Sequence, residues 1–409
     1  MASASASAQP RKVITSGTSS TLRGRQQPLP LLRRVARKVV PGDEIGVTVV
    51  THLTLDRLGS LVAQARFWDG ALVAAVLCYD GQSGRMVGTR EARAVLSTAL
   101  SEAPPRKGVL RVDLLAAASA LMADGGGNGA SPLSGLYPIN AMRNAALRLS
   151  TTELVLPLDV DLILGASAAR LLREPGYVFR LRCACAEQRR LIVLPTFEAT
   201  RSFPLSSAAS STDIESLALD GKSAIVEHLA RDAVQPFASD VWPAGHGASD
   251  SNRWASVDAD YEVAHEDNYE PYFICCRHLI PPYDERFVGY GRNKIIHVWW
   301  LSVLRFRFFV AADLYLLHRP HAPSAARRFV LGDADANGCG RDTAPLVLIK
   351  QLYRQAQMEM LTRSLPPAHG SGGMASVRSA RTAPVLLPMH RTVSRVPTSR
   401  TEPMGRWGR

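Results

Sequence analysis

Two aspartates, Asp159 and Asp161, flank a single valine at the end of an apolar run. Residues 154–158, Leu-Val-Leu-Pro-Leu, read as a buried strand. In a strand, residues i and i+2 point the same way. Two carboxylates leaving one face repel each other unless a cation or a hydrogen-bond network holds them. A hard divalent cation, Mn2+ or Mg2+, is one such partner. It takes oxygen ligands and keeps positions open for phosphate oxygens. The alternative is a strand end with two solvated acids. The carboxyl edge of an open α/β sheet, where ligands collect, favours the metal.

The elements around this pair must position it. Residues 137–147 read as a helix just upstream, with Pro138 suited to a first turn because its missing N–H would be unpaired there. Ile139, Met142, Ala146 and Leu149 form its apolar face. Asn140, Arg143 and Asn144 share another face at i, i+3 and i+4. Earlier, strands over 46–52, 71–79 and 108–114 alternate with helices over 53–66 and 86–104. That alternation predicts a parallel α/β sheet.

Beyond the acids, 191–197 reads as a strand and 205–235 as partly helical. Residues 241–249 are a Gly/Pro-rich loop carrying Trp242 and His246, of a composition that lines sites at sheet edges. The most apolar run, 298–317, is interrupted by Arg305, Arg307 and Asp313, so it reads as core strands and not a membrane span. Its last strand, 306–317, runs into His318-Arg-Pro-His321, and a helix over 345–361 closes the domain.

The chain has 409 residues, 46% of them hydrophobic, and a formal net charge of +12. The basic excess lies largely in 1–45 and 365–409, which are rich in Arg, Ser, Pro and Thr. Such segments are expected to be disordered, which removes the main argument for a specific nucleic-acid partner. The expected organisation is a basic segment over 1–45, one domain over 46–365 and a basic tail over 366–409. None of the six cysteines has CxxC spacing, which argues against structural zinc. Cys183 and Cys185, like Cys275 and Cys276, are too close in sequence to bridge within each pair. The start has no apolar signal region; it is basic and Ser-rich, like an organellar transit peptide or a start lacking its first exon.

Six blocks in order resemble the LARGE-type glucuronyltransferases: VTVVTHLTLDRLGSL (47–61), YPINAMRNAAL (137–147), LPLDVDLI (156–163), VWPAGHGASDSNRW (241–254), EPYFICCRHLIPPYDERFVGYGRNKIIHV (270–298) and LYLLHRPHAPS (314–324). The resemblance covers about 46–365 and implies a GT-A type nucleotide-sugar-binding fold, a central mostly parallel sheet flanked by helices. It implies inverting transfer of a sugar, glucuronic acid, from a UDP-sugar to a glycan or glycoprotein acceptor, in the Golgi lumen, with Mn2+ or Mg2+ as cofactor. A GT-A fold that binds sugar without turnover is the alternative.

That resemblance assigns expected roles. Asp159 and Asp161 hold the metal, joined by His318 or His321. Arg57 and Arg143 meet UDP or a sugar carboxylate, with Lys294 and Arg292 as further partners for that carboxylate. Asn140 and Asn144 hold the ribose or donor hydroxyls, and Trp242 and His246 the acceptor. Many GT-A enzymes carry a Glu-Asp pair after a GWG-like turn. Here Gly289-Tyr-Gly291 is followed by Arg292-Asn293, which leaves the general base unassigned, with Asp284 the first candidate and Glu270 the second.

Overall fold

The computed structural model describes residues 32–42, 46–102, 108–116, 133, 136–203, 211–321, 325–331 and 343–364. The first half of the domain alternates as the sequence predicts. Strand β1 (Arg33–Val40) precedes β2 (Val47–Thr54), helix α1 (Leu58–Arg66), β3 (Leu72–Leu77) and a short hairpin, β4 (Tyr79–Asp80) and β5 (Arg85–Met86). Helix α2 (Thr89–Glu102), β6 (Leu110–Ala116), α3 (Ile139–Leu147), β7 (Leu154–Pro157) and β8 (Leu162–Leu164) follow. Next come α4 (Ala166–Leu171), α5 (Pro175–Gln188), β9 (Arg190–Leu194), β10 (Thr196–Ala199), α6 (Ser211–Asp220), α7 (Lys222–Ala230) and β11 (Val234–Pro236). The last part holds α8 (Ser251–Ser256), β12 (Tyr261–Val263), β13 (Tyr272–Cys276), α9 (Asn293–Val303), β14 (Arg307–Val310), β15 (Leu316–His318), α10 (Ala325–Leu331) and α11 (Ala344–Ser364).

Nine strands form the central sheet in the order β1-β6-β3-β2-β7-β13-β9-β14-β12. Strands β6, β3, β2, β7, β9 and β14 run one way, and β1, β13 and β12 run against them. The sheet is therefore mostly parallel, as expected, and β13 is inserted antiparallel between β7 and β9. Alternate residues of β3 feed opposite faces: Leu72, Ala74 and Val76 one way, Val73, Ala75 and Leu77 the other. Both faces are covered, so the strands read as unbroken apolar runs and do not alternate with polar residues.

Four expectations change. Residues 33–40, assigned by composition to the disordered basic segment, form an edge strand antiparallel to β6, and Arg37 pairs with Asp113 at 2.6 Å. Residues 191–197 are not one strand. After β9, Pro195 has no N–H to give the ladder, and the chain leaves for a second sheet ordered β11-β10-β15-β8. The run 306–317 divides in the same way, into β14 on the large sheet and β15 on the small one. The start of the apolar run 298–317 is helical, because α9 buries Ile295, Ile296, Val298 and Leu301 against its neighbours. A buried helix and a buried strand carry the same apolar signal over so short a stretch. Residues 1–31 and the tail 365–409 lie outside the described residues. Among the described residues no helix is long and apolar enough to cross a membrane.

Candidate active site at the carboxyl edge of the central sheet

Asp159 and Asp161 sit in the turn between β7 and β8, not within a strand. Val160 between them is buried, and Gln64 anchors the turn by donating to the carbonyls of Asp159 and Leu162 at 3.3 and 2.9 Å. The turn sends the two carboxylates to different partners, which corrects the expectation of a shared face.

Asp159 is enclosed by cations and a phenol. Its Oδ1 accepts from Arg143 at 3.1 Å, and its Oδ2 from the Tyr272 hydroxyl at 2.7 Å and the Lys294 ammonium at 3.3 Å. Lys294 also donates to the Tyr272 oxygen at 2.6 Å. His52, at the end of β2, places Nε2 3.7 Å from Asp159 Oδ1 and bonds Tyr137 through Nδ1 at 3.0 Å. Burial alone would raise the Asp159 carboxyl. Lys294, His52 and Arg143 overcome it and hold the group well below its ordinary value.

Asp161 faces the other way, pairing with Arg57 and standing 3.1 Å from His321 Nε2. Burial would raise its carboxyl too, but the hydrogen bond and charge of His321, then Arg57, bring it down. His318 packs its ring on Phe237 with centroids 4.6 Å apart and lies 3.6 Å from Glu198. Burial pushes the His318 imidazole down to about 4.

The four expected metal ligands therefore do not converge. Among the described residues no group of three or more His, Cys, Asp or Glu side chains could hold a metal ion. Asp161 and His321 remain as a pair of donors. Two ligand atoms set at right angles about a cation, each about 2.1 Å from it, lie about 3 Å apart, which is the separation seen here. Mg2+-like cations are commonly held by one or two carboxylates plus substrate phosphates and water. The donor pair fits that pattern, with a diphosphate completing the shell.

The asparagines of α3 are builders of the site. Asn140 donates to the carbonyls of Asp284 and Asn293 at 2.9 and 3.4 Å and accepts from Arg143 at 2.9 Å. Asn144 accepts from the Tyr283 N–H at 2.8 Å and donates to the Tyr283 carbonyl and to Glu285. Buried amides must pair, and these do so by clamping the 283–293 segment, which leaves nothing for a ribose. Arg143 is likewise taken up by Asn140, Asn293 and Asp159, with its guanidinium 5.4 Å from the Tyr283 ring. It positions Asp159, with three of its five N–H donors engaged by the protein.

Asp284, the first choice of base, is held by Arg286 at 2.6 Å, and Arg286 also reaches Glu359 of α11 at 2.9 Å. That carboxylate is part of a structural ion pair. Glu270 differs. It sits just before β13, its backbone N–H donates to Gly245 at 2.9 Å, and burial raises its carboxyl, with Lys294 and Asp159 near enough to act on it. No ion pair or side-chain hydrogen bond among the described residues engages it. Gly245 separates Glu270 from Trp242: a Cβ there would meet Trp242 Cδ1 at 2.7 Å and Glu270 Oε1 at 3.3 Å. Trp242 is 36% exposed, whereas His246 is buried behind Tyr272, with ring centroids 5.8 Å apart. Trp242 can meet an acceptor; His246 supports Tyr272. Arg292 bonds Asn268 at 3.2 Å and packs on Tyr353.

Sequence reasoning missed His52, Tyr137, Tyr272 and Asn293. His52 is the one signal in reach, a basic residue ending the apolar run of β2.

Arg57, Arg143 and Lys294 surround Asp159 and Asp161, with Glu270 close enough for Lys294 to act on it. The strand ends of β2 and β7 converge on this cluster, at the edge of the sheet where ligands of α/β proteins collect. The family model described as "Glycosyl-transferase for dystroglycan" matches residues 115–328, and the chain belongs to that family, the LARGE-type glycosyltransferases. Rattus norvegicus "Xylosyl- and glucuronyltransferase LARGE2" is 31% identical over 281 residues, covering 68% of this chain and 35% of that protein. Caenorhabditis elegans "Glycosyltransferase-like protein LARGE" is 30% identical over 192 residues, 47% of this chain and 28% of that protein. Homo sapiens LARGE1 is 27% identical over 285 residues, 69% of this chain and 32% of that protein. The chain thus spans about a third of the length of these relatives. Among solved structures, S. aureus TarS 1-349 with UDP-GlcNAc aligns at 10% identity and a TM-score of 0.32, over 76% of this chain and 66% of that one.

Proposed function

We propose that this chain is a metal-dependent inverting glycosyltransferase that moves glucuronic acid from a UDP-sugar to a glycan or glycoprotein acceptor, in the Golgi lumen. The observation that carries the reading is the cationic ring around the two aspartates, with Asp161 and His321 3.1 Å apart. Asp161 and His321 would hold Mn2+ or Mg2+, which when bound stabilises the charge growing on the leaving diphosphate.

The chain's own residues do the rest. Arg57 and Lys294 seat the diphosphate. Arg143 and Tyr272 fix Asp159 so that its charge holds Lys294 in place. In an inverting transfer the acceptor hydroxyl attacks the anomeric carbon from the side opposite the diphosphate, and a base takes its proton. Glu270 is that base: its carboxyl is raised by burial, unpaired, and next to an exposed tryptophan on which a sugar ring can stack. Lys294 or Arg292 would meet the uronic carboxylate.

One observation favours binding without turnover: both oxygens of Asp159 already have protein partners. UDP-sugar hydrolysis by the purified chain, with and without Mn2+, separates the two readings. Metal-dependent release of UDP, greater from UDP-glucuronic acid than from UDP-glucose, is expected. UDP binding without release from any donor would leave the sugar-binding reading.

A further inference from the structure

All five described cysteines are free thiols, and the fold brings together one from each close-spaced pair. Helix α5 packs across β13. Cys185 and Cys276 both lie in the hydrophobic core on the same side of the central sheet, together with Ile274, while Cys275 points to the opposite side. The Cys185 thiol sits 3.8 Å from the Ile274 carbonyl, two residues from Cys276 on the same face of the strand. The Cys185 and Cys276 thiols are close enough to act on each other's titration.

We propose that Cys185 and Cys276 are a disulfide-forming pair that ties α5 to the distal end of β13. Tyr272 begins that strand at the active site, and Cys276 ends it beside the start of β7, so the bond would lie away from the chemistry.

The oxidant is a small disulfide such as oxidised glutathione. Once exposed and ionised, Cys276 supplies the attacking thiolate. Its sulfur bonds to one glutathione sulfur, and the other glutathione leaves as a thiolate that takes up the Cys276 proton. Cys185, deprotonated in turn, attacks the Cys276 sulfur of the mixed disulfide and releases the second glutathione, which takes its proton. Two protein thiols are oxidised and one glutathione disulfide is reduced to two thiols. Both side chains are buried, so the exchange occurs during folding or on local opening.

The test equilibrates the full chain in glutathione buffers of increasing oxidised fraction. The protein is then denatured, free thiols are alkylated, and peptides are analysed by mass without reduction. The expected result is a linked peptide joining Cys185 to Cys276, with Cys78, equally buried but after a different strand, and Cys275, on the opposite face, fully alkylated. Cys276→Ser should leave Cys185 alkylated in every buffer. The oxidised wild type should also melt several degrees above the reduced form, about the shift a cross-link gives a domain of this size, and this gap should vanish in Cys276→Ser. Complete alkylation of Cys185 and Cys276 in the most oxidising buffer would overturn the proposal, as would a link from Cys185 to Cys275.

Discussion

The Asp161 carboxylate and the His321 imidazole stand 3.1 Å apart, although about half of the domain lies between them in the chain. Strand β15 makes this possible. It pairs antiparallel with β8, with His318 opposite Leu162, so the segment after β15 runs back over the turn that carries Asp161. The Arg319 N–H donating to the Asp161 carbonyl at 2.8 Å fixes that crossing.

Asp161→Asn and His321→Ala are each expected to weaken Mn2+-dependent UDP binding at least about tenfold. His318→Ala should do less, because its ring faces Phe237 and Glu198. Titration calorimetry with and without Mn2+ measures all three. A larger loss for His318→Ala than for His321→Ala would exchange their roles. Chelation with EDTA should bring wild type down to the level of Asp161→Asn.

Glu270→Gln is expected to lower kcat by about 100-fold or more with little change in the KM for the donor. The base works only when ionised, and burial raises its carboxyl. Wild-type kcat/KM should therefore fall as pH drops through a value above the usual carboxylate range. Glu270→Gln should flatten that acidic limb. An unchanged limb in the variant would remove Glu270 from the reaction.

Asp284→Asn tests the ion-pair assignment. It should cost about 2 kcal/mol of stability, as Arg286 loses a charged hydrogen-bond partner, while kcat stays within a few-fold of wild type. Urea unfolding and steady-state kinetics read the two effects separately. A collapse of kcat in a fully stable variant would restore Asp284 as the base.

Arg143→Met should destabilise the fold by about 3 kcal/mol, because it strands Asp159, Asn140 and Asn293 in a buried network. Donor preference should survive in whatever folded fraction remains, since Arg143 is buried and bonded to Asn140, Asn293 and Asp159. A change of donor preference at wild-type stability would place Arg143 at the sugar instead.

Trp242→Ala should raise the acceptor KM and leave donor hydrolysis unchanged, because the exposed ring stands on the outer side of Glu270 across Gly245. Progress curves with and without acceptor distinguish the two, and an equal fall in both would make Trp242 structural.

The sequence by itself determined the alternation that builds β2, β3, β6 and β7, and the position of the acid pair just after β7. Those depend on local periodicity and on where an apolar run stops, and both are written in consecutive residues. The ordered blocks from 47–61 to 314–324 carried the family as well. Only the tertiary structure decided what each side chain meets. Asn140, Arg143 and Asn144 share a helical face in any reading, but their pairing with the 283–293 segment depends on how α3 and α9 pack. Asp284 and Glu270 are equally acidic as letters. One lies within reach of Arg286 and the other is half-buried beside an exposed tryptophan, and burial and partner charge, not residue type, set what a carboxylate can do.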